Sequence, residues 1–124
     1  MRLVKAALVI ASCVLLLGVC AVAGQNPMGI SDRYVVTFNE KVLVAGTQLP
    51  AGDYEIRHVM EGPDHIMVFK ELGVSKPIQV RAKCTLVALS AKAFEDHKVY
   101  ALNAANEKIL KELTFKGDRA SHVF

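Results

Sequence analysis

The side chains best suited to chemistry fall in two short segments, His58-Val59-Met60 and His65-Ile66-Met67, separated by Glu61-Gly62-Pro63-Asp64. In a strand, residues two apart share a face, so within each segment the imidazole and the thioether point the same way. Whether the two pairs meet is a question of parity. A hairpin loop of two residues (Pro63-Asp64) or of four (Glu61 to Asp64) joins positions whose numbers sum to an odd value. It gathers His58, Met60, His65 and Met67 on one face, whereas a loop of three or five, or a bulge, sends the pairs to opposite faces. Two imidazoles with two thioethers would suit copper, since soft sulfur selects Cu(I) and imidazole accepts either oxidation state. The plainer reading is packing without any cofactor, because methionine is a common core filler and His58 and Met60 prolong the face begun by Tyr54 and Ile56.

The remaining candidates carry less. Cys84 alternates with Ile78, Val80 and Ala82 along one strand face and reads as a small buried hydrophobe. His97 and His122 have no partner spacing around them and read as surface residues. Glu95-Asp96-His97 sets acids beside a histidine, but sequence neighbours point in different directions, so this is a solvated loop. There is no Gly-x-Ser-x-Gly elbow, no His-Glu-x-x-His helix and no glycine-rich phosphate loop, so no catalytic residue is assigned and an enzyme is not expected.

These residues must be positioned by strands. Tyr34, Val36 and Phe38 share a face, as do Val42 and Val44, and then Tyr54, Ile56, His58 and Met60. Turn formers crowd Ala45 to Asp53, Glu61 to Asp64 and Gly73 to Pro77. His65–Glu71 reads as a fourth strand and Ile78–Leu89 as the longest, central to the sheet, its continuous apolar end suggesting burial on both faces or a bend. Lys98–Leu102 is a further short strand. The segment 103–110 is ambiguous, since Ala105, Ile109 and Leu113 fit a helical stripe, but a strand over Lys111–Phe115 preceded by a turn is favoured. About six to eight short strands imply an all-β domain, a small antiparallel sandwich or barrel.

The first residues supply an address. Arg2 and Lys5 precede an apolar run from Ala6 that closes in Ala21-Val22-Ala23, the pattern of a secretory signal helix over residues 1–23, cleaved after Ala23. Residues 24–32 then form a flexible lead-in, and 33–124 the single β domain. The protein is expected in the periplasm or outside the cell. Its membrane contact would be confined to that segment left uncleaved. Losing Arg2 and Lys5 leaves thirteen basic residues against twelve acids, a balance without the electrostatic footprint of a nucleic-acid binder. Cys13 and Cys20 leave with the signal, so Cys84 alone cannot close an internal disulfide. Tryptophan is absent, and the mature aromatics mostly fall on strand faces, as expected of core rather than of a sugar platform.

The stretch Gly46-Thr47-Gln48-Leu49-Pro50-Ala51-Gly52-Asp53-Tyr54-Glu55-Ile56 resembles the LPAG-x-Y signature of small, uncharacterised secreted β-rich proteins of soil bacteria. Leu113-Thr114-Phe115-Lys116-Gly117-Asp118-Arg119 is similar to their late L-x-F strand and the turn after it. The resemblance implies a β fold and export, with no activity attached, and the final strand is expected to be short or frayed. The resulting expectation is an exported, non-enzymatic binding or structural domain whose partner is an unknown protein or envelope component, with a periplasmic copper-binding protein as the alternative.

Overall fold

A computed structural model describes Gly29–Phe124; the expected signal segment, Cys13, Cys20 and residues 24–28 of the lead-in lie outside the described residues. Nine strands follow one another without a helix between them: β1 (Arg33–Phe38), β2 (Val42–Val44), β3 (Thr47–Leu49), β4 (Gly52–Glu61), β5 (Asp64–Glu71), β6 (Gln79–Ala88), β7 (His97–Leu102), β8 (Lys108–Thr114) and β9 (Ala120–Val123). The domain is therefore all-β, with nine strands rather than six to eight. β2 falls where Val42 and Val44 were expected to share a face; the addition is β3, which lies inside the span expected as a turn and closes on β2 through two residues. Ala45 (φ 49°) and Gly46 (φ 78°) supply the two positive φ values that a type I′ hairpin requires.

The strands form one sheet in the order β1-β4-β5-β6-β9-β8-β2-β3, with β7 added on β8. Pairing is antiparallel except between β2 and β8, which meet in parallel at Leu43 and Ile109, so the sheet is mixed. β6 is the corner. Its residues 79–84 pair with β5 and its residues 85–88 with β9, so one strand belongs to two leaves. The leaves face each other: Tyr34 of β1 stacks on Phe115 beyond β8 at 3.8 Å between ring centroids, and Phe69 of β5 meets Phe124 at 5.9 Å.

Alternation builds most of the interior, with Ile66 on β5 and Ser121 on β9 buried out of step. Along β4, Tyr54, Ile56 and His58 are buried; along β5, Met67 and Phe69; along β6, Val80, Ala82 and Cys84. Register aligns them in rows across the sheet: Tyr34, Ile56, Phe69 and Val80; then His58, Met67 and Ala82; then Met60, His65 and Cys84. Each fully buried large apolar side chain contributes about 1.5–3 kcal/mol through removal from water. Tyr54, fully buried, donates its hydroxyl to the Pro50 carbonyl at 2.6 Å, so the Leu-Pro-Ala-Gly turn is held by the tyrosine that follows it.

Several expectations change. The apolar end of β6 is not buried on both faces: the strand stops at Ala88 and Val87 is 49% exposed. Residues 108–114 are strand, with Asn103 capping the preceding turn by accepting from the Ala105 and Glu107 amides. β9 is short but inserted between β6 and β8 rather than frayed. The described end of the lead-in is tied down, with Ile30 fully buried and the Gly29 carbonyl accepting from the Arg119 amide. Phe94 departs from the aromatic core, lying 79% exposed beside an open surface cavity of about 450 Å³.

Candidate metal site

The β4–β5 turn has the even count that gathers the four expected side chains. Glu61 pairs with Asp64 across a two-residue loop, Gly62-Pro63, in which Gly62 takes φ 59°. The positive φ of glycine followed by the fixed negative φ of proline matches the tight turns that join antiparallel strands. His58 pairs with Met67 and Met60 with His65, placing all four on one face. The structure brings the two imidazoles together, with His65 Nδ1 3.1 Å from His58 Nε2. It does not draw both methionines into the same surroundings, because Met67 is fully buried whereas Met60 is 52% exposed at the open end of the hairpin.

Two residues that the sequence pattern set aside complete the cluster. Cys84 is cross-strand from His65, and its thiol lies 3.9 Å from Nδ1 of His122. His122 is not a surface residue: insertion of β9 leaves it fully buried, with its ring within 5.7 Å of the Tyr34 and His58 rings and 5.8 Å of Phe115. One donor atom from each of His58, Cys84 and His122 lies within 4.8 Å of the other two, and all three residues are buried. A tetrahedral ion with bonds of about 2.0–2.1 Å to imidazole and about 2.3 Å to thiolate sets its nitrogens roughly 3.3 Å apart and nitrogen from sulfur roughly 3.6 Å. Cys84 Sγ and His122 Nδ1, 3.9 Å apart, stand close to that spacing, and no pair of the three donors exceeds 4.8 Å.

An outer layer supports them. Nε2 of His122 is buried without a hydrogen-bond partner and lies 3.8 Å from Oδ2 of Asp118, itself 1% exposed. That distance exceeds a hydrogen bond but leaves the carboxylate as the group the ring nitrogen faces. A proton on Nε2 toward Asp118 leaves the Nδ1 lone pair toward Cys84, the carboxylate–histidine arrangement that orients metal-bound imidazoles. Asp118 is held in turn by the Tyr34 hydroxyl, which donates to Oδ2 at 2.5 Å. Burial and the nearby carboxylate raise the Tyr34 phenol far above its ordinary range, so it remains a donor.

Electrostatics favour neutral ligands. Burial, then the neighbouring His122 and His65, lowers the His58 pKa against the opposing pull of Asp32 and Asp118, leaving the imidazole uncharged at neutral pH. Burial pushes the Cys84 thiol up to about 11, so an ion binding there displaces a proton. The order Cys84, His122, Asp118 is also that of a thiol nucleophile with its base and orienting carboxylate. A reactive cysteine, however, needs a lowered pKa and access, whereas Cys84 has a raised pKa and is 4% exposed. His97 is exposed and pairs only locally with Glu95, at 3.3 Å.

No family model, curated protein or solved structure matches the chain. The functional reading therefore rests on the chemistry of the side chains.

Proposed function

We propose that the protein is an exported, non-enzymatic binding domain whose ligand is a soft transition-metal ion, copper(I), held by His58, Cys84 and His122 with His65 in reach as a fourth donor. One observation carries the reading: three buried donors from three strands converge within 4.8 Å while Nε2 of His122 faces a buried carboxylate without a hydrogen bond. That nitrogen costs about 1–3 kcal/mol in lost solvation as it stands, and an ion drawing on Nδ1 would polarise the Nε2 proton toward the Asp118 carboxylate, as in oriented metal-bound imidazoles. Thiolate and imidazole accept Zn(II) as well as Cu(I), and the buried thioether of Met67, cross-strand from His58, favours copper. Export rests on the Arg2–Ala23 pattern. Compared with the all-histidine-and-methionine set expected at first, this reading exchanges the two thioethers for Cys84 and His122.

The test is anaerobic titration of the purified protein with Cu(I) against a competing chelator, with Zn(II) in parallel. Tight one-to-one copper binding that disappears in Cys84→Ser and His122→Ala is the expected result. Binding of zinc alone reassigns the ion. Binding of neither leaves the cluster as core packing in a structural or protein-binding domain.

A further inference from the structure

The three donors of the site are buried, so an ion must be handed to them by something nearer the surface. Register supplies a row that does this. Met60 of β4, His65 of β5 and Cys84 of β6 are successive cross-strand partners on one face, and neighbours in such a row have Cβ atoms about 4.5–5.5 Å apart. Exposure falls along the row, from Met60 at 52%, through half-buried His65, to Cys84 at 4%. Donor strength rises in the same direction, from thioether through imidazole to thiolate. His65 also lies 3.1 Å from His58, so the middle member touches the inner set directly. Met60, exposed at the hairpin end, stands where an incoming soft ion would first meet a ligand of this row.

We propose that Met60 and His65 form the uptake port of the metal site, passing copper(I) by ligand exchange from the Met60 thioether to the His65 imidazole and then to His58, Cys84 and His122. The inference rests on the metal-binding reading above. Copper remains Cu(I) throughout, each incoming donor bond replaces an outgoing one, and the Cys84 proton is released to solvent when the thiolate binds. The surface step requires a soft donor, so the port acts on Cu(I) and leaves Zn(II), which has little use for a thioether, to enter without it.

The experiment is stopped-flow transfer of Cu(I) from a coloured chelator complex to wild-type protein, Met60→Leu and His65→Gln, with equilibrium occupancy measured on the same samples. Leucine keeps the apolar bulk and removes the sulfur at an exposed position, so the fold is preserved, and a thermal melt verifies this. The expected result is Cu(I) uptake slowed on the order of tenfold in Met60→Leu, the scale on which outer groups tune metal sites, with occupancy and Zn(II) uptake unchanged, and slowed further in His65→Gln. Wild-type rates in Met60→Leu overturn the port while leaving the buried site standing. Loss of occupancy together with rate overturns it too, by making Met60 a ligand of the stored ion. Absence of uptake by the wild type removes both proposals at once.

Discussion

The interior has two ends built by one alternation rule but filled with opposite chemistry. At one, Phe38, Val44, Leu49, Tyr54, Ile56, Phe69 and Leu113 make an apolar core whose only buried polar atom of note, the Tyr54 hydroxyl, is satisfied by Pro50. At the other, one and two rows further along β4, β5 and β6, the same inward positions hold His58, His65 and Cys84, faced by His122 and Asp118 from the opposite leaf. The first end needs nothing more. The second leaves a ring nitrogen unbonded and a thiol and imidazole held neutral by burial. A strand pattern can therefore specify that a position is inside without specifying that it is there for packing.

The contrast breaks most sharply at Cys84. Cys84→Ser should abolish measurable Cu(I) binding in chelator competition while leaving a folded apo-protein, because serine nearly matches the volume. Phe69→Ala at the apolar end should do the reverse. It should cost about 3–5 kcal/mol of stability in urea unfolding, through lost burial and the cavity left behind, with one-to-one binding retained wherever the variant is folded. Asp118→Asn sharpens the role of the outer layer, with an expected loss of about 10–100-fold in metal affinity by the same competition assay. Tyr54→Phe, which removes only the bond to Pro50, should cost about 1 kcal/mol and leave metal binding alone.

Proton linkage separates the two ends with the smallest expected effect. The His58 pKa is lower in the folded protein than its ordinary value near 6.5, so the unfolded chain takes up the proton first as pH falls. The stability that this group preserves is intact above that ordinary value and is lost as pH drops through and below it. Urea unfolding between pH 8 and 5 should show the decline, and His58→Gln should flatten it. Metal affinity should run in the same direction for a different reason. Displacing the Cys84 proton makes binding about tenfold tighter per pH unit through the neutral range.

How much of this was legible in the sequence depended on range. That His58 shares a face with Met60, and His65 with Met67, followed from period two, a local fact; whether the two pairs meet turned on a loop count that the sequence left open and that the Gly62-Pro63 turn makes even. Cys84 was legible as buried from its alternation with Val80 and Ala82, but not as the neighbour of an imidazole. His122 was misread because its burial depends on β9 entering between β6 and β8, a long-range pairing that a four-residue segment does not announce. The parallel contact of β2 with β8 was hidden for the same reason. The doubt over 103–110 divides: 103–107 make the turn that was favoured, and the strand starts at Lys108 rather than Lys111 because β8 gains β7 and β2 as partners there, which outweighs a weak helical stripe.

Cys84 stands at the residue where β6 exchanges one partner strand for another. An ion joining it to His58 on one leaf and His122 on the other would fasten the two leaves at their common corner. Cys84 is free and is the one cysteine among the described residues, so no covalent cross-link does this. The metal would be a reversible staple, lending the fold when loaded the restraint that small exported domains more often draw from a disulfide.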